Sequence, residues 1–232
     1  AWTTEPSIAD YAYGTTPSTP AGTSSFGTPE CSYYKDEACT NAVDLTNGKP
    51  APGTYYMKAA TAGTGNYTAL SKVVAFHITN QIVTLNETGT DNGLTGKDAV
   101  KSDVTYARTF TAGNWSTICL PFALTQSQMD AAFGGNCEVA KLEGVSSGAL
   151  SFTKVTGDMT AGTPYIIKFS GTAPTTLTFT DVTIDKTDGS FSVSTGETCT
   201  MTGTSAVTAI TKDENHYIMQ GNKIYRVATD NV

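Results

Sequence analysis

The stretch PYIIKFSGTAPTTLTFTDVTI, residues 164–184, decides the fold class. It holds two runs rich in β-branched and aromatic residues, PYIIKF and TLTFTDVTI, separated by Gly and Pro. Runs of this kind are typical of strands, and Gly and Pro mark the turn between them. Similar runs recur along the chain: VVAFHI (73–78), TYARTF (105–110), LSFTKV (150–155), FSVS (191–194) and KIYRVA (223–228). Short strands at this spacing predict an all-β fold, either a sandwich or a barrel.

The charge and hydropathy of the sequence argue against two classes of partner, nucleic acids and membranes. Charged residues make up 15% of the 232 residues, and the formal net charge is −7. No cluster of Lys and Arg occurs, so we expect no nucleic-acid partner, because phosphate binding needs a basic face. The same lack argues against a polybasic membrane anchor. No apolar run approaches the ~18 residues that span a bilayer, so we expect no membrane insertion.

One segment predicts a helix, TQSQMDAAFGG at residues 125–135. Thr125 can cap its N-terminus, and Gln128 lies at the spacing of a capping box. Gly134 or Gly135 can end the helix in a left-handed conformation. We therefore predict a short helix near residues 126–134, which connects strands and does not form a core of its own.

The chain contains five cysteines, whose pairing would indicate the redox conditions of the protein's compartment. Cys31 and Cys39 flank the turn-like stretch CSYYKDEAC, and residues at that spacing can face each other across a hairpin, so we predict a disulfide between them. Cys119 lies in the apolar run STICLPF and is expected to be a buried thiol. Cys137 and Cys199 are left as a second candidate pair. Either bridge would indicate an oxidising compartment, and the absence of a C-x-x-C pair argues against a zinc or redox site.

A change in pattern near residue 80 predicts a domain boundary. The strand-like segment 72–79 ends the first part, and IVTLNE at 82–87 is expected to open the second. Residues 88–103, TGTDNGLTGKDAVKSD, read as a long polar loop. We therefore expect two domains, residues 1–80 and 81–232. The chain begins at Ala1 without a signal peptide, which we interpret as a mature or excised fragment.

The first domain carries a set of short motifs, among them PSIADYAYG (6–14), CSYYKD (31–36), GTYY (53–56), NY (66–67) and FHI (76–78). In this combination they resemble the GTYY/NY Ig-like repeats of modular bacterial surface proteins. The resemblance implies a small β-sandwich that is joined in series with others as a spacer or an adhesive stalk.

The second domain carries WSTICLPF (115–122), AGTPYIIKF (161–169) and HYIMQGNKIYRVA (216–228). These runs resemble the W-x-T-x-C-L-P-F C-terminal β-module in secreted proteins of gut anaerobic, Bacteroidetes-type bacteria. In that family a further strand follows the last run, so the resemblance implies an unpaired sheet edge here. Together the two resemblances imply two tandem Ig-like β-sandwich domains, the second with one short helix, at the cell surface or outside the cell.

The sequence predicts no catalytic site, no metal site and no cofactor. His77 and His216 are isolated from any nucleophile motif, and no G-x-S-x-G occurs. A glycosidase needs two carboxylates, for which the candidates are Glu138 with Glu143 and the group Asp181, Asp185 and Asp188. That aspartate group reads as a turn and lacks the ligand spacing of an EF-hand calcium loop.

Aromatic side chains are the candidates for ligand binding, because a sugar ring stacks its C–H face on an aromatic ring. They include Tyr11 and Tyr13, but the main candidates are Trp2, Tyr33, Tyr34 and Tyr67. Tyr33 and Tyr34 alternate faces of a strand, so one of them should point outward. Trp115 precedes the apolar CLPF run and is expected to pack in the core.

We expect a non-catalytic extracellular module pair that serves adhesion, glycan recognition or spacing. Its partner would be a host or plant glycan or another surface protein. Two alternatives remain open. One is a structural subunit of a filament that self-associates by strand exchange through the open sheet edge. The other is the carbohydrate-binding accessory module of a polysaccharide-degrading enzyme.

Overall fold

A computed structural model describes residues 1–46, 49–63, 65, 68–86, 93–187, 190–194, 198–203, 209–212, 216–220 and 222–228. The chain divides into two compact units, residues 1–82 and 83–232. Strands dominate the described residues, and they contain a single helix, so the prediction of an all-β fold is confirmed. Among the described residues, no helix is long and apolar enough to cross a membrane.

The strands of the first unit are β1 Trp2–Ser7, β2 Tyr11–Ala12, β3 Ala21–Ser24, β4 Glu30–Tyr34, β5 Gly53–Thr61 and β6 Leu70–Thr79. Strand β7 Gln81–Asn86 spans the division between the units. The second unit continues with β8 Lys101–Ala107, β9 Trp115–Cys119, α1 Gln126–Phe133, β10 Cys137–Ser146, β11 Ala149–Lys154, β12 Pro164–Phe169, β13 Thr176–Thr183, β14 Ser190–Ser194, β15 Thr198–Thr202, β16 Tyr217–Gln220 and β17 Lys223–Arg226.

The first unit contains two sheets. Strands β1 and β3 pair antiparallel, and β2, β6, β5 and β4 form the second sheet in that order. The centre of the second sheet is the antiparallel pair β5–β6, which runs from Gly53 opposite Ile78 to Thr61 opposite Leu70. An ion pair between Lys72 and Glu5 joins β6 to β1 and so links the two sheets.

The core of the first unit lies on one face of its four-stranded sheet. Phe76 is its centre: the side chain is 1% exposed, and its ring centroid lies 6.2 Å from those of Tyr11 and Tyr33 and 6.0 Å from that of Tyr55. The other buried apolar side chains of this unit include Tyr13, Leu45, Met57, Ala59 and Ile78. Because side chains alternate along a strand, the residues between these on β4, β5 and β6 lie on the opposite face.

The second unit places two sheets around one core, as in a β-sandwich. The order of the first sheet is β13-β8-β7, and that of the second is β11-β10-β12-β9. Both sheets and α1 contribute to one continuous apolar cluster. Its largest fully buried members include Ile118, Phe122, Leu124, Leu142, Ile167 and Leu177.

Strand β12 is buried on both of its faces. Ile167 points into the main core, whereas Ile166 and its cross-strand partner Ala140 point to the other side and are also buried. Strands β14 and β15 contact β10, and β16 contacts β9. The β14–β15 hairpin therefore covers part of the outer face of the second sheet, which explains why PYIIKF is apolar at almost every position.

The predicted helix is present as α1. Thr125 Oγ1 accepts a hydrogen bond from the Gln128 backbone N–H, and the Gln128 side chain in turn accepts one from the Thr125 N–H, which completes the predicted capping box. The helix ends at Gly134, whose φ of +74° is one that glycine adopts without strain. Met129 and Phe133 are the residues that α1 buries.

Gly203 lies directly over Cys119 in the second unit. A Cβ atom added at Gly203 would lie 2.3 Å from the Cys119 Sγ and 2.8 Å from its Cβ, closer than such atoms can approach. We expect Gly203→Ala to destabilise this unit by about 1–3 kcal/mol through overpacking, measured by urea unfolding. Removal of the sulfur in a Gly203→Ala, Cys119→Ala double variant should recover part of the loss.

A matched control for this prediction is Gly157→Ala. Gly157 has no heavy atom within 4 Å of the position its Cβ would take. This variant should be close to neutral. If Gly203→Ala were no more destabilising than Gly157→Ala, the close packing between Gly203 and Cys119 would be contradicted.

At the C-terminus, β17 pairs with β16. The hairpin turn is held at the edge of β9, because the Asn222 Oδ1 accepts a hydrogen bond from the Trp115 N–H and its Nδ2 donates one to the Asn114 Oδ1 at 2.9 Å. Residues 229–232 lie outside the described residues. The predicted unpaired edge after β17 therefore stays a prediction.

Candidate functional site

Tyr33 and Tyr34 lie on opposite faces of β4. Tyr33 packs edge-on against Phe76 in the core, and burial, with the nearby Cys31 thiol as a smaller cause, raises the pKa of its hydroxyl. Tyr34 therefore lies on the outer face of the sheet. There it is directly opposite Tyr56 of β5, which in turn is opposite Ala75 of β6.

We call this outer surface of β4, β5 and β6 the tyrosine face. Its central row is Tyr34, Tyr56 and Ala75, and the next row is Ser32, Lys58 and Val73. On the other side of the central row, Thr54 of β5 pairs with His77 of β6. None of these side chains is buried: they are all exposed or half-buried, Val73 at 37%. The result is an open surface with two adjacent aromatic side chains at its centre.

His77 is held in place by a neighbouring acid. Its backbone N–H donates to the Asp10 Oδ1 at 2.6 Å, and its Nδ1 lies 3.3 Å from the Asp10 Oδ2. Both side chains are more than half exposed. This pair forms one border of the tyrosine face, and among the described residues no serine or cysteine side chain is hydrogen-bonded to His77.

Three of the four aromatic candidates lie in the described residues, and the structure does not bring these three together. Trp2 belongs to β1, in the other sheet of the first unit, where it is opposite Ser24. Tyr33 faces the core, and Tyr67 lies outside the described residues. Of the three described candidates, only Tyr34 is placed on the tyrosine face. Its partner there, Tyr56, was not singled out as a candidate from the sequence.

Tyr11 and Tyr13 line a different feature, a cleft of about 180 Å³ in the first unit. This volume is smaller than the ~300 Å³ at which pockets for drug-sized ligands begin. Tyr13 is 8% exposed, and the Tyr11 hydroxyl is buried without a hydrogen-bond partner in the described structure. Burial, followed by the nearby Tyr55 and Tyr33, raises the pKa of Tyr11. The cleft is therefore a weaker candidate for a binding site than the tyrosine face.

No disulfide joins any of the five cysteines, all of which lie in the described residues. The register explains why Cys31 and Cys39 do not meet. Lys35 N–H donates to the Asn41 carbonyl, and Cys39 lies in the turn that follows, with a φ of +56°. Cys31 lies four residues before Lys35 on the extended strand, so the two are about 13 Å apart at 3.3 Å per residue. Cys39 lies in the turn beyond Lys35, and its Cα is therefore further from that of Cys31 than the ~7 Å that a disulfide tolerates. The structure therefore contradicts the predicted Cys31–Cys39 disulfide, and the Cys137–Cys199 disulfide is not formed either.

We expect all five cysteines to react with a thiol reagent in denaturant without reductant. In the folded protein Cys137 should react slowest near pH 8, because burial, and to a lesser extent Glu138, raises its pKa to about 12. The folded state then holds this proton more tightly than the unfolded state, so stability should fall as the pH rises from 9 towards 12. A count of three reactive thiols in denaturant would instead show that one disulfide is present. In the Cys137→Ser variant, which has four thiols, the slowly reacting thiol should be missing.

The carboxylate candidates are occupied with structural contacts. Glu138 pairs with Lys168 at 2.8 Å, and that hydrogen bond is the main reason that its pKa is lowered. Glu143 accepts a hydrogen bond from Thr153. Asp181 pairs with Lys101 at 2.8 Å. These contacts hold neighbouring strands together.

The rest of the predicted aspartate group lies in a turn. Asp185 accepts the Thr187 N–H at 2.9 Å, and its hydrogen bonds to Thr187 lower its pKa. Asp188 lies outside the described residues. Within the parts of the chain that the structure describes, no group of three or more His, Cys, Asp and Glu side chains is arranged to hold a metal ion.

Trp115 differs from its expected place in the core. It is half-buried on β9, and the Lys168 Nζ lies 4.7 Å from the centroid of its ring. The reason is its register on β9: Trp115 has the same parity as Cys119, which faces Gly203, and not that of Ile118, which faces the core. Trp115 therefore lies on the outer face of the second sheet, the face that Cys119 shares.

Comparison of the chain with sequence families, with curated proteins and with solved structures gives no significant match in any of the three.

Proposed function

We propose that the chain is a non-catalytic extracellular pair of Ig-like sandwich modules, and that its first unit recognises glycans through the tyrosine face. The observation that carries this proposal is the position of Tyr34 directly opposite Tyr56 on a sheet face with no buried side chain. Tyrosines whose only role is packing would be expected to be covered, as Tyr13 and Tyr55 are.

The chemistry of this surface fits a sugar. Side chains directly opposite each other on antiparallel strands have their Cβ atoms about 5 Å apart, so the two phenol rings are close enough to contact one sugar together. A pyranose can lay its C–H face on such rings. Hydroxyl groups of Ser32 and Thr54, one row away on either side, and those of the tyrosines can exchange hydrogen bonds with the sugar hydroxyls.

The surroundings support a role outside the cell. The solvent-facing side of β13 carries threonines where many soluble proteins carry Lys or Glu, namely Thr176, Thr178 and Thr180, all exposed. With charged residues at only 15%, the surface offers few ionic contacts and many hydroxyl groups. A recognition module displayed at a cell surface accounts for both features, and it needs no catalytic group.

Affinity electrophoresis in gels that contain soluble polysaccharides tests the proposal. The panel contains neutral polymers (xylan, β-glucan, galactomannan) and uronate polymers (polygalacturonate, alginate, glucuronoxylan). We expect at least one of them to retard the full chain. The double variant Tyr34→Ala, Tyr56→Ala should lose the retardation, whereas Tyr34→Phe, Tyr56→Phe should keep most of it, because the stacking surface remains.

Tyr217→Ala is the matched control. Tyr217 is 58% exposed and lies in the second unit, so this change removes an exposed tyrosine without touching the tyrosine face. It should leave retardation unchanged. The proposal fails if no polysaccharide retards the native chain, or if the double variant binds as well as the native chain does.

A further inference from the structure

Lys58 lies in the row next to the two tyrosines of the tyrosine face. It is on β5, two residues from Tyr56, and is flanked by Ser32 and Val73 on the neighbouring strands. Its side chain is half-buried. Within the described part of the chain, no ion pair or side-chain hydrogen bond involves its ammonium group. A cation that has lost part of its hydration and gained no counter-ion is set up to accept an anion.

The acidic groups near Lys58 are engaged elsewhere or lie further away. Asp10 is bound to His77, at the opposite border of the tyrosine face. Glu30 lies on β4 diagonally from Lys58, opposite Ala60, and no ion pair joins the two side chains. Neither the central row nor the row of Lys58 contains a carboxylate. Lys58 is therefore the only charged side chain in these two rows.

We propose that the glycan bound by the tyrosine face is a uronate-containing polysaccharide, with Lys58 as the counter-ion of its carboxylate. This inference rests on the proposed function. Residues two apart on a strand are about 7 Å apart, and the lysine stem is long enough to bring its ammonium group back towards the tyrosine row. A sugar stacked on Tyr34 and Tyr56, or the next sugar along the polymer, then presents its carboxylate to Lys58. A charged hydrogen bond in this partly dehydrated setting is stronger than one in open water.

The test uses the full chain and two forms of one polymer. Polygalacturonate carries a carboxylate on each sugar, and its highly methyl-esterified form has the same backbone with most of the charge removed. We expect at least tenfold weaker binding to the esterified form. Binding to polygalacturonate should also weaken as the ionic strength rises, because salt screens the attraction. Alginate and glucuronoxylan extend the comparison to other uronates.

Variants separate the role of Lys58 from that of bulk charge. Lys58→Gln should weaken binding to the uronate polymer at least tenfold, and Lys58→Arg should retain most of it. Lys141→Gln makes the same change in net charge at an exposed position on β10 of the second unit and should have little effect. Circular dichroism of Lys58→Gln should match the native spectrum.

The two proposals fail in different ways. If the chain binds neutral polysaccharides or the esterified polymer as tightly as any uronate polymer, and Lys58→Gln has no effect, the assignment of a uronate is overturned while glycan recognition stands. If no polysaccharide of either class is bound, glycan recognition itself is wrong. Binding to uronates that Lys58→Gln and Lys141→Gln reduce equally would show general charge attraction and would also overturn the role of Lys58.

Discussion

Replacement of Phe122 by alanine is expected to lower the free energy of unfolding of the second unit by about 3–5 kcal/mol. Phe122 is fully buried, and its ring centroid lies 5.0 Å from that of Phe179, which also packs against Phe133 of α1 at 5.9 Å. The truncation would leave a cavity where the segment after β9, strand β13 and α1 meet. A loss of this size is a large part of the 5–15 kcal/mol that typically stabilises a domain.

The two tryptophans make the measurement specific, because each unit contains one of them. In a Trp2→Phe background the fluorescence of Trp115 reports urea unfolding of the second unit. Thr178→Ala is the control: Thr178 is exposed on β13, one residue from Phe179, and its loss should change the stability by less than about 0.5 kcal/mol. A shift for Phe122→Ala no larger than that of the control would contradict the position of this core.

Replacement of Phe76 by alanine should have a similar effect on the first unit, a loss of about 3–5 kcal/mol. Phe76 is the residue on which three tyrosine rings converge, and this unit has a smaller core than the second. A small domain has less buried surface to lose, so the variant should leave the first unit largely unfolded at room temperature. Trp2 fluorescence and near-UV circular dichroism in a Trp115→Phe background measure the change.

Val73→Ala is the control for this second prediction. Val73 lies on β6 with Phe76 but on the outer face, where it is 37% exposed, and its truncation should cost far less. Since Tyr34 and Tyr56 are positioned by the same sheet, Phe76→Ala should also abolish polysaccharide binding. Retention of a native Trp2 signal together with native binding in Phe76→Ala would show that the core of this unit is misplaced.

Local patterns in the sequence were sufficient to predict the helix and several of the strands. The period of apolar residues in VVAFHI and TLTFTDVTI predicted strands that occur as β6 and β13. The capping box at Thr125 and the stop at Gly134 predicted α1 because both are contacts between residues a few positions apart. Such signals depend on neighbours in the chain, and the sequence displays them directly.

Contacts between distant residues were harder to predict. The alternation of Tyr33 and Tyr34 was evident, but the register that places Tyr56 opposite Tyr34 depends on how β4 aligns with β5. The same register moves Cys31 away from Cys39. Trp115 was expected in the core because CLPF follows it. Side chains alternate along β9, however, and Trp115 lies on the face opposite to that of Ile118. A shift of one residue reverses every side chain of a strand, and the sequence around these residues does not fix it.

If the tyrosine face recognises glycans as proposed, its openness would limit the affinity of one copy of this protein for a polymer. A sugar laid on a flat sheet loses water from one side only, so the free energy gained by a single contact is small compared with that of an enclosed pocket, and exchange should be fast. Durable attachment would then require many such faces on one strand of polysaccharide, since linked weak sites raise the overall affinity by orders of magnitude without any new contact. A flat face of this kind favours attachment that forms and dissociates quickly, with an overall affinity that increases with the number of copies displayed.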